Sequence, residues 1–178
     1  VSIALARRTV RYNGLADRVE LHHGDLRDPD VLPEGVSFEL VTGSPPYIPR
    51  GHGVESPVPQ RAGARIELRG SIFDYCEAAR RWLAPGGRFV YVMAAKDPRT
   101  EEAPVAAGLE VLERWEYVFG ARREPHICTM VCARAEDGPH PPRVTGRMEV
   151  RGSDGLWTPE YLEFRRSMGV EVSRRTSR

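Results

Sequence analysis

A chain of 178 residues with 40% hydrophobic and 29% charged content is long enough for one domain with a sizeable core and too apolar for general disorder. Its formal charge of +1 excludes a global field that would draw it onto nucleic acid or membrane, so any basic surface must be local. It carries no long apolar segment and no charged-then-apolar start, so neither a membrane span nor a secretory leader is expected. Cys76, Cys128 and Cys132 are odd in number and lack metal-ligand spacing, which predicts buried reduced thiols, a cytoplasmic setting and no metal.

Apolar residues at Ile3, Leu5, Ala6 and Val10 predict an opening helix that Asn13-Gly14 stops. That helix has no cap or turn before it, and the first residue is Val1 rather than Met, so the chain reads as a fragment. Val19-Glu20-Leu21-His22 reads as a short strand ending at Gly24-Asp25-Leu26, and Phe38-Glu39-Leu40-Val41 as the next, broken by Gly43. Residues 48–70 are rich in Gly, Pro and Arg without a period, which predicts a long loop of a length usually functional or disordered. A helix over 71–83 puts Ile72, Tyr75, Cys76 and Ala79 on one face. Ala84-Pro85-Gly86-Gly87 then turns into the strand 88–93, apolar throughout as in a buried parallel sheet.

A weaker helix is expected over 101–107. The runs 110–119 and 127–134 lie close enough in sequence to pair as an antiparallel hairpin, with Cys128 and Cys132 on one side. Residues 135–143 form a polar connection, 144–150 an edge strand, and Thr158-Pro159 the cap and first residue of a last helix. The tail 172–178 is expected to be disordered. Strands alternating with helices define an α/β domain over 1–135, with a C-terminal extension over 136–171 that adds an edge strand and a helix.

The chemistry gathers at Ser44-Pro45-Pro46-Tyr47, directly after a strand. Two prolines by themselves would read as a strand end, yet their neighbours suit work on an amine. An exocyclic amine on a base is a poor nucleophile because its lone pair is delocalised into the ring. Acceptors that hold its N–H groups out of conjugation favour attack on an electrophilic methyl. The Ser44 hydroxyl and the Pro45 carbonyl are such acceptors, since proline keeps its carbonyl and cannot donate. Pro46 stiffens the segment and biases Pro45 toward an extended shape. Tyr47 offers a flat face for a flipped base, worth about 1–3 kcal/mol. Arg50, Arg61, Arg65 and Arg69 cluster on the following loop, opposed by Glu55 and Glu67, and read as a local lid for phosphates. Asp25 lies at the carboxyl end of an expected parallel strand, where open α/β sheets bind ligands.

Four pieces in order carry a resemblance: Ala4-Leu5-Ala6-Arg7-Arg8 with Asn13-Gly14-Leu15 and Asp17-Arg18-Val19; Gly24-Asp25-Leu26-Arg27; Ser44-Pro45-Pro46-Tyr47 with Ala64-Arg65-Ile66-Glu67; and Asp154-Gly155-Leu156-Trp157-Thr158-Pro159-Glu160-Tyr161. Together they resemble the class I S-adenosylmethionine-dependent methyltransferases with an NPPY-type motif, most closely the bacterial tRNA adenine-N6 enzymes. The resemblance implies a Rossmann-like, partly parallel sheet with a C-terminal antiparallel pair, and S-adenosyl-L-methionine as cofactor. It implies Ser44, Pro45, Pro46 and Tyr47 as catalytic residues, and Asp25, Leu26 and Ser44 on the methyl donor. Tyr47, Arg50, Arg61, Arg65, Glu67 and Arg69 would meet the substrate. A monomer acting on structured RNA such as tRNA is expected.

Three departures bear on that expectation. The first strand, Gly-rich turn and second strand of the family do not precede Val1. Ser44 stands where Asn is usual, a swap familiar in DNA cytosine-N4 enzymes, and Ile66 where the tRNA enzymes often carry His. The alternatives are therefore a DNA adenine or cytosine amine, a glutamine amide in a protein, or an inactive truncated relative that only binds nucleic acid.

Overall fold

The computed structural model describes residues 2–120 and 124–170, with the backbone alone for Pro59 and Gln60. The chain forms two units, Val1–Val36 and Ser37–Arg178. The tail expected to be disordered over 172–178 lies outside the described residues.

In the first unit α1 spans Ser2–Tyr12 and none of its residues is buried. Asn13 and Gly14 end it as expected, Gly14 adopting a positive φ of 64°. The strand expected at Val19–His22 does not form: among the described residues no strand pairs with it. A β-rich tetrapeptide becomes a strand only through a ladder partner, and pairing is non-local information that the tetrapeptide does not contain. Asp28 then caps a short 3-10 turn over Pro29–Val31 by accepting from the Asp30 amide.

The second unit is built on a five-stranded mixed sheet. Its strands are β1 (Phe38–Gly43), β2 (Leu83–Ala94), β3 (Leu109–Phe119), β4 (Ile127–Arg134) and β5 (Val144–Arg151), in the order β1-β2-β4-β3-β5. β1 and β2 are parallel, β4 runs antiparallel between β2 and β3, and β5 pairs parallel with β3 as an edge. The 109–134 run is thus the expected hairpin, with β4 inserted beside β2. This mixed sheet with flanking helices is the expected Rossmann-like, partly parallel arrangement.

β2 differs from the uniformly buried strand expected. Phe89, Tyr91 and Met93 are fully buried while Val90 and Val92 are half-buried, because the two sides of the strand meet different surroundings. The buried side packs with Cys128, Met130 and Cys132 of β4 and Leu109 of β3. Above them lie Ile72, Cys76 and Ala79 of α3 (Ile72–Trp82) and Ala103 of α4 (Arg99–Ala106). Ser71 and Asp74 close a capping box that fixes where α3 starts. The turn expected at 84–87 lies within β2 instead of before it: Gly86 takes a φ of +73° where the register against β1 shifts between Phe38 and Leu40. At Gly87 a Cβ would meet the carbonyl oxygens of Ala84, Phe38 and Glu39 at 2.9–3.1 Å, so only glycine lets β2 run this close to β1.

The three thiols are core residues, and burial pushes Cys128 up to about 11 and Cys132 up to about 12. Burial raises Cys76 and Tyr91 further still. Tyr91 stacks on Phe89 and donates its hydroxyl to the Thr100 carbonyl at 2.5 Å, and Thr100 donates to Ala94 O, so this polar pair is satisfied inside the core. At the C-terminal side α5 (Pro159–Ser167) begins at Thr158, which accepts from the Tyr161 amide. Trp157 lies within 5.6 Å of the Arg151 guanidinium and 4.2 Å of that of Arg165, a cation-aromatic stack that joins β5 to α5. Trp82 and Trp115 are half-buried.

The long loop expected over 48–70 is partly helical. α2 spans Pro59–Arg65, with proline in its first turn. Gly63 and two arginines in seven residues leave no apolar period, so the helix is invisible to pattern reading and is stabilised by what it packs on.

Candidate active site at the carboxyl edge of the sheet

Because β1 and β2 are parallel, their carboxyl ends open on the same edge. Ser44-Pro45-Pro46-Tyr47 follows β1 there, and Ala95 to Arg99 follow β2. Gly43 closes β1 where α3 comes near: a Cβ would stand 3.1 Å from the Tyr75 ring and 3.4 Å from the Phe89 ring. The motif then divides by burial. Ser44 is exposed and makes no side-chain hydrogen bond among the described residues, whereas Pro45 and Pro46 are buried beneath it. Tyr47 is half-buried and packs against the core. The rigid prolines thus anchor a hydroxyl that faces outward.

A charged cluster that sequence reasoning missed holds this segment. Arg99, at the start of α4, binds Asp97 through two nitrogens (Nη2 to Oδ2 at 2.5 Å) and Glu67 through Nη1 at 2.6 Å. Its Nη2 also reaches the Tyr47 carbonyl at 3.5 Å. The side chains of Arg99, Asp97 and Glu67 are 19%, 15% and 10% exposed, so solvent screens them only partly. Bonds to Asp97 and Glu67 raise Arg99, and the Arg99 bond lowers the Asp97 carboxyl below its ordinary range. A signal was present: Asp97-Pro98-Arg99 sits at the carboxyl end of a strand, the edge where α/β sheets place their sites.

The loop returns to the motif at the same point. Ile48 and Ile66 form a parallel bridge, with Ile48 N–H donating to Arg65 O at 3.1 Å and Glu67 N–H to Ile48 O at 2.9 Å. Ile66 is 2% exposed, so the apolar residue at this position is part of the loop's own small core. Glu67 accordingly faces the Arg99 cluster instead of the open loop. Arg50, Arg61, Arg65 and Arg69 are all exposed, and none has a side-chain hydrogen bond or ion pair among the described residues. The geometry brings Ser44, Pro45, Pro46, Tyr47 and Glu67 to one edge and leaves the arginines outward on the adjoining segment.

Asp25 and Leu26 lie in the first unit and are described there alone. Asp25 is 44% exposed and paired with Arg27, whose Nη2 stands 2.6 Å from Oδ2 and whose amide donates to Oδ1. Leu26 is half-buried. Among the described residues no group of three His, Cys, Asp or Glu could hold a metal, and no helix is long and apolar enough to cross a membrane.

No protein-family model and no curated protein matches the sequence. Solved structures do share the fold. A predicted O-methyltransferase from Agrobacterium tumefaciens superposes with a TM-score of 0.60 at 15% identity, covering 95% of this chain and 74% of that one. A glycopeptide N-methyltransferase in complex with S-adenosyl-L-methionine gives 0.48 at 13%, covering 74% and 68% respectively. An O-methyltransferase family protein from Burkholderia thailandensis gives 0.45 at 18%, covering 73% and 40%. The chain therefore has the α/β, Rossmann-like fold found in the Agrobacterium protein.

Proposed function

We propose that this chain is an S-adenosylmethionine-dependent N-methyltransferase acting on an exocyclic amine, with adenine N6 in structured RNA such as tRNA as its first substrate. The observation that carries the reading is the split of the motif: an outward Ser44 hydroxyl on two buried prolines, at the carboxyl edge of parallel strands and beside exposed unpaired arginines. The acceptors at hand fit a donor and a substrate that each present an amine. Ser44 would take the end of the donor near the reacting methyl. The bound donor supplies an electrophilic methyl on a sulfonium.

The protein's part is positioning. Ser44 Oγ and the Pro45 carbonyl accept the two amine N–H groups and turn the nitrogen lone pair out of the ring plane, toward the methyl. The Tyr47 ring meets the face of the flipped base. The Arg99 cluster fixes the Tyr47 backbone, so that the acceptors and the ring keep one geometry. Arg50, Arg61, Arg65 and Arg69 meet phosphates around the target, and their lack of partners leaves all four available.

The serine favours one second reading, a cytosine amine in DNA, because serine at this position of the motif is the form familiar in DNA cytosine-N4 enzymes. Incubating the chain with methyl-labelled S-adenosylmethionine and separate pools of tRNA, ribosomal RNA, DNA and protein tests both. Label in tRNA is expected, label in DNA selects the second reading, and label confined to protein or absent from every pool overturns the proposal.

A further inference from the structure

We propose that the cleft between Ile48 and α2 is a subsite for the nucleotide flanking the target base, an inference that rests on the nucleic-acid reading above. The cleft has a volume of about 240 Å³. Its floor is apolar: Ile66 is 2% and Ala62 5% exposed, and Ile48 is half-buried. Val54 lines it while remaining fully exposed, an apolar side chain left to water until something flat covers it. Arg61 and Arg65 stand at its mouth, one turn apart on α2.

Those two arginines are the informative pair. Like charges four residues apart destabilise a helix, and α2 is only seven residues long with no side-chain cap at its start. Among the described residues neither has an ion-pair partner, and the Glu67 carboxylate of the same loop is bound to Arg99. An anion seated between them would relieve the repulsion. An apolar floor with a two-arginine mouth matches a base with its attached phosphate: the floor takes the ring, and the guanidinium forks take the phosphate oxygens. An acidic peptide would satisfy the arginines and leave the floor and Val54 uncovered.

Location ties the cleft to the motif. Ile48 follows Tyr47 directly and is bridged to Ile66, so a nucleotide on this floor lies one backbone step from the ring that meets the flipped base. The cleft would grip the strand beside the target and hold it while the target base is out.

The test uses the full chain and amide-resolved magnetic resonance, following Gly53, Ala62 and Ile66 while adenosine 5′-monophosphate, adenosine, inorganic phosphate and an Asp-Glu dipeptide are titrated separately. The nucleotide is expected to shift all three amides at least tenfold more tightly than any other probe. The double variant Arg61→Ala/Arg65→Ala, with an unchanged circular dichroism spectrum, should bind it at least tenfold more weakly. The Lys/Lys version should recover most of that loss. In methyl transfer the alanine pair should raise KM about tenfold with kcat retained. Absent shifts at these amides, or phosphate or dipeptide binding as tightly as the nucleotide, would overturn the subsite. Ser44→Ala separates this inference from the one beneath it: kcat of transfer should fall at least tenfold while the nucleotide still titrates the cleft. If wild type transfers methyl to no nucleic acid but the nucleotide still binds through Arg61 and Arg65, the motif reading fails and a nucleotide site remains.

Discussion

Arg99 and the loop arginines are the same side chain in opposite circumstances. Arg99 is 19% exposed and bound to two carboxylates and a carbonyl, whereas Arg50, Arg61, Arg65 and Arg69 are exposed with no partner among the described residues. Removing the first takes away the countercharge of two partly buried carboxylates; removing the others takes away nothing the fold uses. Arginine abundance therefore says little about role; partner state separates a residue that holds a site from one that recruits to it.

Substitution of Arg99 should be felt most. Arg99→Ala should lower the urea midpoint by the equivalent of about 2 kcal/mol, since Asp97 and Glu67 lose charged hydrogen bonds. It should also reduce kcat of methyl transfer, because the Tyr47 backbone loses its anchor. Arg99→Lys should restore part of the stability but little of kcat, a point charge being unable to bridge both carboxylates in a fork. If Arg99→Ala were as stable and active as wild type, the two kinds of arginine would not differ.

Next in size is the core beneath the edge. Tyr91→Phe deletes the hydroxyl that donates to Thr100 O and leaves a buried carbonyl unsatisfied, which should cost about 1–2 kcal/mol in denaturant unfolding. The buried thiols sharpen the same point through pH. Burial lifts Cys128 from its ordinary 9.0 to about 11 and Cys132 from the same value to about 12. Well below pH 9 both folded and unfolded chains keep these protons and no stability is lost. As pH rises through about 9 toward 12 the unfolded chain releases them first and binds fewer protons, so stability falls, and urea midpoints should decline slightly from pH 8 to 9 and more steeply from 9 to 10. Asp97 acts on the other side. Its carboxyl is held down by Arg99, so its contribution is present above its ordinary 3.8 and is lost as pH falls through and below that value.

The smallest stability effect belongs to the exposed set. Each single Arg→Ala change at Arg50, Arg61, Arg65 or Arg69 should alter stability by less than about 0.5 kcal/mol. RNA binding should nevertheless weaken, with the slope of log affinity against log salt reduced by about 0.7 for each phosphate no longer neutralised. Unchanged slopes would show that these arginines meet no phosphate.

Most of the second unit was legible because its signals are local. Thr158-Pro159 announces its helix start, and the alternation in Ile127–Arg134 places both of its cysteines on the buried side. What was illegible depends on residues distant in sequence. Val19–His22 has strand composition, yet only a ladder partner makes a strand. α2 hides because Pro59, Arg61, Gly63 and Arg65 interrupt any apolar period, and its packing on Ile48 joins positions eighteen residues apart through Ile66. Ser44, Pro45, Pro46 and Tyr47 were legible as a unit because their chemistry is contiguous. Arg99 was not, because its partners Glu67 and Asp97 come together only when the loop returns to the edge of the sheet.

The most direct test is the identity of the methylated atom and its dependence on Ser44. Wild type and Ser44→Ala would be incubated with S-adenosylmethionine and tRNA, and the digested nucleosides resolved by mass spectrometry. The account predicts N6-methyladenosine from wild type, and from Ser44→Ala a kcat at least tenfold lower with KM little changed. A methyl group on a ribose oxygen, or Ser44→Ala turning over at the wild-type rate, would contradict it.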